Sequence, residues 1–414
     1  MPDKPLLLVH QWCRERSYIW GMRIGMILDA PFPTDYRVEK EARTLANAGH
    51  QVVLFCLNTG REKEEEEYKG FRIARYPTNV LEYKLSALAY TVPFYHWMMA
   101  QKLRGFITTH QPDVLHVHDM VIARAAFDVA RMEMIPVVLD LHENRPEIMK
   151  EYRHVNRFPG KVLINLRKWQ REQDRLIGEA HKVVVVTASA KADIVKSVKK
   201  PSSDIIVLPN TPSKEFLEIP IDQALSDRMK GTFNLLYVGD TSERRGTADL
   251  IKAVAELKGS IPEIRLWMVG KSSFDQELNA LATKLGVEGV VHFEGWQPER
   301  LFPSYIHGAA ICLSPLKRNQ HHDTTYANKL FQYMAYSRPL ILSDCTAQAE
   351  LVRTEDCGLV FTAGDVNDLA AAVMKLYREA DVREKLGKNA KDALVNRWLW
   401  ESTSRELLEL YRTF

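Results

Sequence analysis

Two doubly wound α/β domains in tandem are the fold class this sequence predicts, and three observations predict it. From Met22 onward, short β-branched apolar runs alternate with longer amphipathic stretches, the pattern of a parallel sheet covered by helices. The series restarts at Phe233, after a break in which two prolines of PNTPSKEF (209–216) end a strand without opening a helix. The length of 414 residues suits two large domains.

The first series supplies MRIGMILD (22–29), HQVVLFCL (50–57), FRIARYP (71–77), VLHVHD (114–119), PVVLDLHE (136–143), KVVVVTA (182–188) and IIVLPN (205–210) as strands. The second supplies FNLLYVGD (233–240), IRLWMVGK (264–271), VVHFEGW (290–296), AAICLSPL (309–316), PLILSD (339–344) and GLVFTAGD (358–365). These runs set the expected boundaries: a leader or extension at 1–21, domains at 22–212 and 213–396, and a closing helical segment at 397–414.

Composition narrows the function classes. A hydrophobic share of 46% with 26% charged residues can bury a core, which excludes a disordered chain. A net charge of +3 excludes a protein dedicated to coating nucleic acid. The 5 cysteines are odd in number and form no CxxC, so neither a disulfide framework nor a structural zinc ribbon is expected and a reducing cytoplasm is. No run reaches the roughly 18 apolar residues of a spanning helix; Leu85 to Gln101 comes nearest and is interrupted by Pro93.

Ligands of doubly wound sheets bind beyond the carboxyl ends of strands, so chemistry is sought there. In YVGDTSERRGTADL a strand ends at Gly239, and a polar loop with Asp240, Arg244 and Arg245 leads through Gly246 into a helix. Glycine lets backbone approach a diphosphate, and arginine binds phosphate oxygens bidentately; a tight turn with solvated arginines is the other reading. In TTYANKLFQYMAYSRP a helix from about Ala327 to Tyr336 carries Lys329 at its start, a second anion seat or a solvated face. LHVHDM places His116 and His118 on one face of a strand, and DLHENRPE ends the next strand with His142 and Glu143. PFPTDYRVEKEA offers Asp35 as helix N-cap and Arg37 and Glu41 as either acceptor-pocket groups or a helix-face ion pair.

These pieces stand in the order found in retaining glycosyltransferases of family 4, and from about Met22 to its end the chain resembles that family, including its branch with an NKLFEYM-type helix. The resemblance implies the GT-B architecture, two Rossmann-like domains facing each other across a cleft. It implies a nucleotide diphosphate sugar as donor, a UDP-sugar first and a GDP-sugar next, with no cofactor, no metal and no nucleic acid partner. A glycan or lipid-linked molecule is the implied acceptor. His118 matches the histidine that touches the donor sugar, and Arg245 matches the lysine before glycine that holds the diphosphate. Gly239, Asp240, Arg244, Gly246, Gly270, Gly295, Trp296, Asn328 and Lys329 fall in the donor-binding pieces; Asp35, Arg37, His142 and Glu143 fall on the acceptor side. The terminal helix is implied to return to the N-terminal domain.

The chain departs from the family at its two motif glutamates, which read Thr324 and Gln332. Gln332 can still hydrogen-bond a ribose, and Asp323 is the substitute carboxylate for Thr324. The basic stretch Lys150 to Arg175, with Leu81–Phe106, reads either as a solvated helix or as a peripheral contact with an anionic membrane at its inner face. Two other functions fit parts of the sequence: a metal-dependent hydrolase using His116, His118, Asp119, His142 and Glu143, and a non-catalytic sugar or nucleotide binder.

Overall fold

The computed structural model describes residues 21–60, 62–158 and 160–414; most of the expected leader, residues 1–20, lies outside them. The chain divides into two compact units. The first contains the described chain up to Val186, Ala190–Leu208 and Ser404–Phe414, and the second contains Thr187–Ser189 and Pro209–Thr403.

Eight strands form the sheet of the first unit: β1 (Arg23–Pro31), β2 (Gln51–Asn58), β3 (Glu65–Tyr68), β4 (Phe71–Pro77), β5 (Val114–His118), β6 (Val137–Leu141), β7 (Lys182–Val185) and β8 (Ile205–Val207), in the order β3-β4-β2-β1-β5-β6-β7-β8. All pair in parallel except β3, which runs antiparallel along the outer edge of β4. That strand is EEEY, a charged sequence that reads as a polar tract; ion pairs from Arg72 to Glu67 and from Arg75 to Glu66 hold it to its partner. Every residue of β5 and β6 is buried, as a central parallel strand covered on both faces requires.

The second unit carries β9 (Phe233–Val238), β10 (Ile264–Val269), β11 (Val291–Gly295), β12 (Ile311–Ser314), β13 (Leu340–Ser343) and β14 (Gly358–Phe361), ordered β11-β10-β9-β12-β13-β14 and all parallel. Counted within the unit, this is the doubly wound order 3-2-1-4-5-6. The winding reverses beside the first strand of each unit, at β1/β5 and at β9/β12, so each unit opens its ligand crevice at the carboxyl end of that pair.

Helices cover the sheets where the sequence breaks its alternation. Pro93 stands before the Phe94–His110 helix and separates it from Val80–Ser86, so Leu85–Gln101 is no continuous span. No helix among the described residues is long and apolar enough to cross a membrane. At the chain's end Trp398 packs on Phe331 and Tyr326 inside the second unit, and the return to the first begins at Ser404 rather than at 397. The Arg405–Tyr411 helix then buries Leu407, Leu410 and Tyr411 in the first unit.

Candidate functional site

In the second unit the crevice beyond β9 is lined by cations on a backbone that only glycine can form. Gly270 has φ +150°, and a Cβ there would lie 1.8 Å from the Gly239 carbonyl oxygen; one at Gly246, φ +71°, would lie 1.8 Å from that of Pro315. Asp240 organises the loop between them. Its carboxylate accepts hydrogen bonds from the Ser242 N–H at 3.1 Å and hydroxyl at 2.6 Å, and faces Arg244 Nη2 at 3.4 Å and Arg245 Nε at 3.6 Å. Burial works to raise its pKa, but these donors and arginines hold it below the usual carboxylate value.

Lys329 opens the Lys329–Ala335 helix, one turn shorter in total than Ala327–Tyr336 suggested, and it is buried rather than solvated. Its Nζ sits 3.5 Å from the centre of the Tyr237 ring. Burial, followed by repulsion from Arg245, pushes its pKa well below that of an ordinary lysine. Two buried imidazoles stand beside these cations. His322 donates through Nδ1 to the Lys317 carbonyl at 2.6 Å and presents Nε2 to Arg244 at 3.3 Å. Desolvation and the neighbouring cations lower His322 to about 4, and desolvation, His322 and the same arginines lower His321 to about 3, so both are neutral at pH 7. The arrangement is a positive crevice with fixed dipoles, suited to an oligophosphate.

In the first unit the crevice beyond β5 and β6 is backed by a buried charged cluster. Asp35 caps the Tyr36–Asn47 helix, accepting from the Arg37 and Val38 N–H groups at 2.9 and 3.1 Å. Arg37 and Glu41 are buried one turn apart and ion-paired at 2.9 Å, and Arg37 Nη2 also meets Asp140 Oδ1 at 2.9 Å. Asp140 Oδ2 lies 3.6 Å from His116 Nε2, 3.3 Å from His118 Nδ1 and 3.3 Å from His142 Nε2. Burial favours a neutral His142, but Asp119 and Asp140 outweigh it and raise its pKa to about 10; His118, desolvated and flanked by the other imidazoles, falls to about 3. Asp140 is held ionised against its burial, chiefly by Arg37.

Several expectations need correction at this level. Asp323 is no spare carboxylate: it accepts from the Thr346 N–H at 2.9 Å and pairs with Arg318 at 3.3 Å. Thr324 is turned back to the Gln320 carbonyl at 2.9 Å. Gln332 donates to Glu299 at 2.9 Å, so a carboxylate stands beside it that the sequence did not single out. Two readings need no correction: Asp35 caps its helix as expected, and Arg37 pairs with Glu41 one turn on, although both are buried and Arg37 also reaches Asp140. Glu143 is paired with Arg145 at 2.9 Å. Of the hydrolase set, His116, His118 and His142 converge on Asp140, with His118 Nδ1 3.2 Å from His142 Nε2 and Asp119 3.5 Å from His142 Nδ1, while Glu143 is drawn off by Arg145. Gly295 has φ +65°, and Trp296 and Asn328 are exposed on the second unit.

Residues 36–211 match the family described as Glycosyltransferase Family 4, and residues 232–379 match Glycosyl transferases group 1, together most of the chain. The chain belongs to the family 4 glycosyltransferases. Glycogen synthase of Mycobacterium tuberculosis is 23% identical over 379 residues, covering 89% of this chain and 87% of its own. Among solved structures, sucrose-phosphate synthase from Thermosynechococcus elongatus superposes with a TM-score of 0.78 at 17% identity, covering 95% of this chain and 98% of its own. Anabaena Alr3699/HepE, solved in complex with UDP, gives 0.70 at 13% identity over 95% and 100% of the two chains. The fold is therefore GT-B. Within this glycosyltransferase, the residues that sequence reasoning missed are Asp140 and Glu299. Asp140 carries a readable signal, since it is the polar interruption of an apolar strand, VVLDL; Glu299 lies in a short turn whose partner Gln332 is remote in sequence.

Proposed function

We propose that this chain moves a sugar from a nucleotide diphosphate sugar, a UDP-sugar first and a GDP-sugar next, to an acceptor hydroxyl with retention of configuration, in glycan or glycoconjugate synthesis. The observation that carries this reading is the cation set beyond β9, where Arg245 and a buried Lys329, with no carboxylate at ion-pair distance among the described residues, flank the positive-φ glycines Gly239 and Gly246. Cleavage of the anomeric carbon–oxygen bond leaves its electron pair on the β-phosphate, and fixed cations stabilise that charge more than the ground state. In this reading side chains neutralise the diphosphate without a metal ion. The acceptor oxygen attacks the same face that the phosphate leaves, and its proton passes to a phosphate oxygen. On the family resemblance we assign to the donor sugar His118, neutral and with a buried Nε2 that has no hydrogen-bond partner among the described residues. The solved UDP complex of Alr3699/HepE supports the choice of nucleotide.

The acceptor we propose is a glycan or a lipid-linked molecule, met on the cytoplasmic side of a membrane. From Tyr152 to Arg171 the chain has no acidic residue, and Phe158 is 87% and Val162 74% exposed among Arg157, Lys161, Arg167 and Lys168. Co-sedimentation with phosphatidylglycerol but not phosphatidylcholine vesicles is the expected result, and equal recovery from both removes the contact. For the reaction itself, thermal-shift titration against UDP-, GDP- and ADP-sugars comes first. No stabilisation by any of them overturns the donor assignment, and an inverted anomeric product by NMR overturns retention.

A further inference from the structure

Two loops of the second unit are tied together around Arg244 by a closed circuit of hydrogen bonds. The Lys317 N–H donates to the Arg244 carbonyl at 3.2 Å, His322 Nδ1 donates to the Lys317 carbonyl at 2.6 Å, and Arg244 Nη1 lies 3.3 Å from His322 Nε2. A carbonyl oxygen can only accept, so the imidazole proton sits on Nδ1. Burial, with the cations around it, keeps the imidazole neutral with a pKa of about 4, and Nε2 is left as an acceptor facing the guanidinium. The imidazole is itself held firmly. His322 is 1% exposed, and its backbone N–H donates to the Asn319 side chain at 2.7 Å, which caps the Gln320–Asp323 helix. From the other side, Asp240 Oδ2 faces Arg244 Nη2 at 3.4 Å.

We propose that His322 is a positioning residue that aims Arg244 at the diphosphate of the donor. The inference rests on the donor reading above and adds to it the group that holds one of its cations in place. An arginine side chain ordered only when its ligand arrives loses rotamer freedom at that moment and binds more weakly; one pinned beforehand has already lost it. The kind of acceptor matters as well. Asp240 faces both Arg244 and Arg245 and cancels one positive charge between them. A carboxylate in place of the imidazole would cancel the other, whereas a neutral imidazole accepts from Arg244 and leaves the loop a net positive charge for a phosphate. His322 touches no substrate in this account and acts through Arg244 alone, whose side chain stays 17% exposed between its two holders.

Calorimetric titration of the full chain with UDP, or with GDP if the wild type prefers it, tests the assignment. His322→Asn keeps a donor for the Lys317 carbonyl and removes the acceptor for Arg244. It should raise the Kd for UDP about 10-fold and leave the binding of uridine, which has no phosphate, unchanged in an NMR titration. His322→Gln puts an amide oxygen where Nε2 stands and should recover most of that loss. In an Arg244→Gln background, itself weakened, His322→Asn should cost less than about 2-fold more, because the two residues act as one unit.

Melting temperatures without ligand show which variants fold. Should His322→Asn not fold, His322→Gln must still bind UDP nearly as the wild type does, and Arg244→Gln must lose about 10-fold. A folded His322→Asn with wild-type affinity for UDP overturns the inference and leaves the donor reading standing. So does a loss that His322→Gln fails to recover, a loss shared equally by uridine, or full additivity with Arg244→Gln. A wild-type chain that binds neither UDP nor GDP overturns the donor reading itself, and this inference with it.

Discussion

The two units use charge at their strand ends in opposite ways. In the first, Arg37, Glu41, Asp140 and three imidazoles lie within a few ångströms of one another, ion-paired in the interior. In the second, Arg244 and Arg245 share the carboxylate of Asp240, and Lys329 has an aromatic ring beside it in place of an anion. The same doubly wound scaffold thus spends polar residues on cohesion in one unit and leaves a cationic surplus in the other. A buried cluster that is internally balanced reports on stability, and a crevice that is not balanced reports on a ligand.

Removing the first unit's closure should break this contrast most severely. Deleting residues 404–414 takes away Leu407, Leu410 and Tyr411, all buried in the first unit. At roughly 1.5–3 kcal/mol per large side chain the loss is on the order of 5 kcal/mol or more, comparable with the whole stability of many domains. Circular dichroism should show a destabilised or unfolded first unit; an unchanged melting temperature ends the argument that this helix is integral to it.

Arg245→Ala should do the reverse, leaving the fold intact and lowering turnover by about 10²-fold or more, since one charge-stabilising group is worth about 2.7–4 kcal/mol. Steady-state kinetics with the donor found by thermal shift decides the matter. Near-normal turnover would remove Arg245 from the diphosphate site.

Asp29, at the end of β1, sharpens the comparison through pH. Burial raises its carboxyl to about 7 despite the Tyr95 hydroxyl that donates to it and the Arg145 charge. Its folded pKa is above the unfolded value near 4, so between about pH 4 and 7 the folded state binds the extra proton. Stability therefore falls as pH rises through that window, by at most about 1.4 kcal/mol per pH unit, and changes no further above it. Asp29→Asn should remove that slope in denaturant titrations at pH 5, 6, 7 and 8. A wild-type profile that is flat, or that rises, contradicts the raised carboxyl.

Much of this was legible from residues alone, for physical reasons that differ along the chain. Parallel strands buried on both faces must be apolar runs, and so VVLDL and FNLLYV announce β6 and β9 without any partner being known. Glycines at Gly239, Gly246 and Gly270 mark strand-end turns where backbone passes close to backbone. The EEEY edge strand was not legible, because its pairing rests on ion pairs with β4 and not on hydrophobic alternation. Asp323 was misjudged because a side chain's neighbour in space, here Thr346, is invisible in a local motif. Tyr411 and His116 are 295 residues apart, and no spacing rule reaches that far.

The smallest expected effect concerns Gln332 and Glu299, which stand 2.9 Å apart in the second unit. A glutamate at position 332, as the family pattern has it, would face the carboxylate of Glu299; the amide avoids that repulsion and donates to it instead. We expect this pair to bind the donor ribose, with Glu299 accepting from its hydroxyls. Glu299→Gln and Gln332→Ala should each raise the donor KM by about 5–30-fold, the worth of about 1–2 kcal/mol, with a smaller change in kcat, because the ribose is held alike in the ground and transition states. Gln332→Glu should weaken binding too, and less so as pH falls and the carboxyl pair takes up a proton. Unchanged donor affinity in both Glu299→Gln and Gln332→Ala would show that the ribose lies elsewhere, and the contrast between the units would then rest on the diphosphate cations alone.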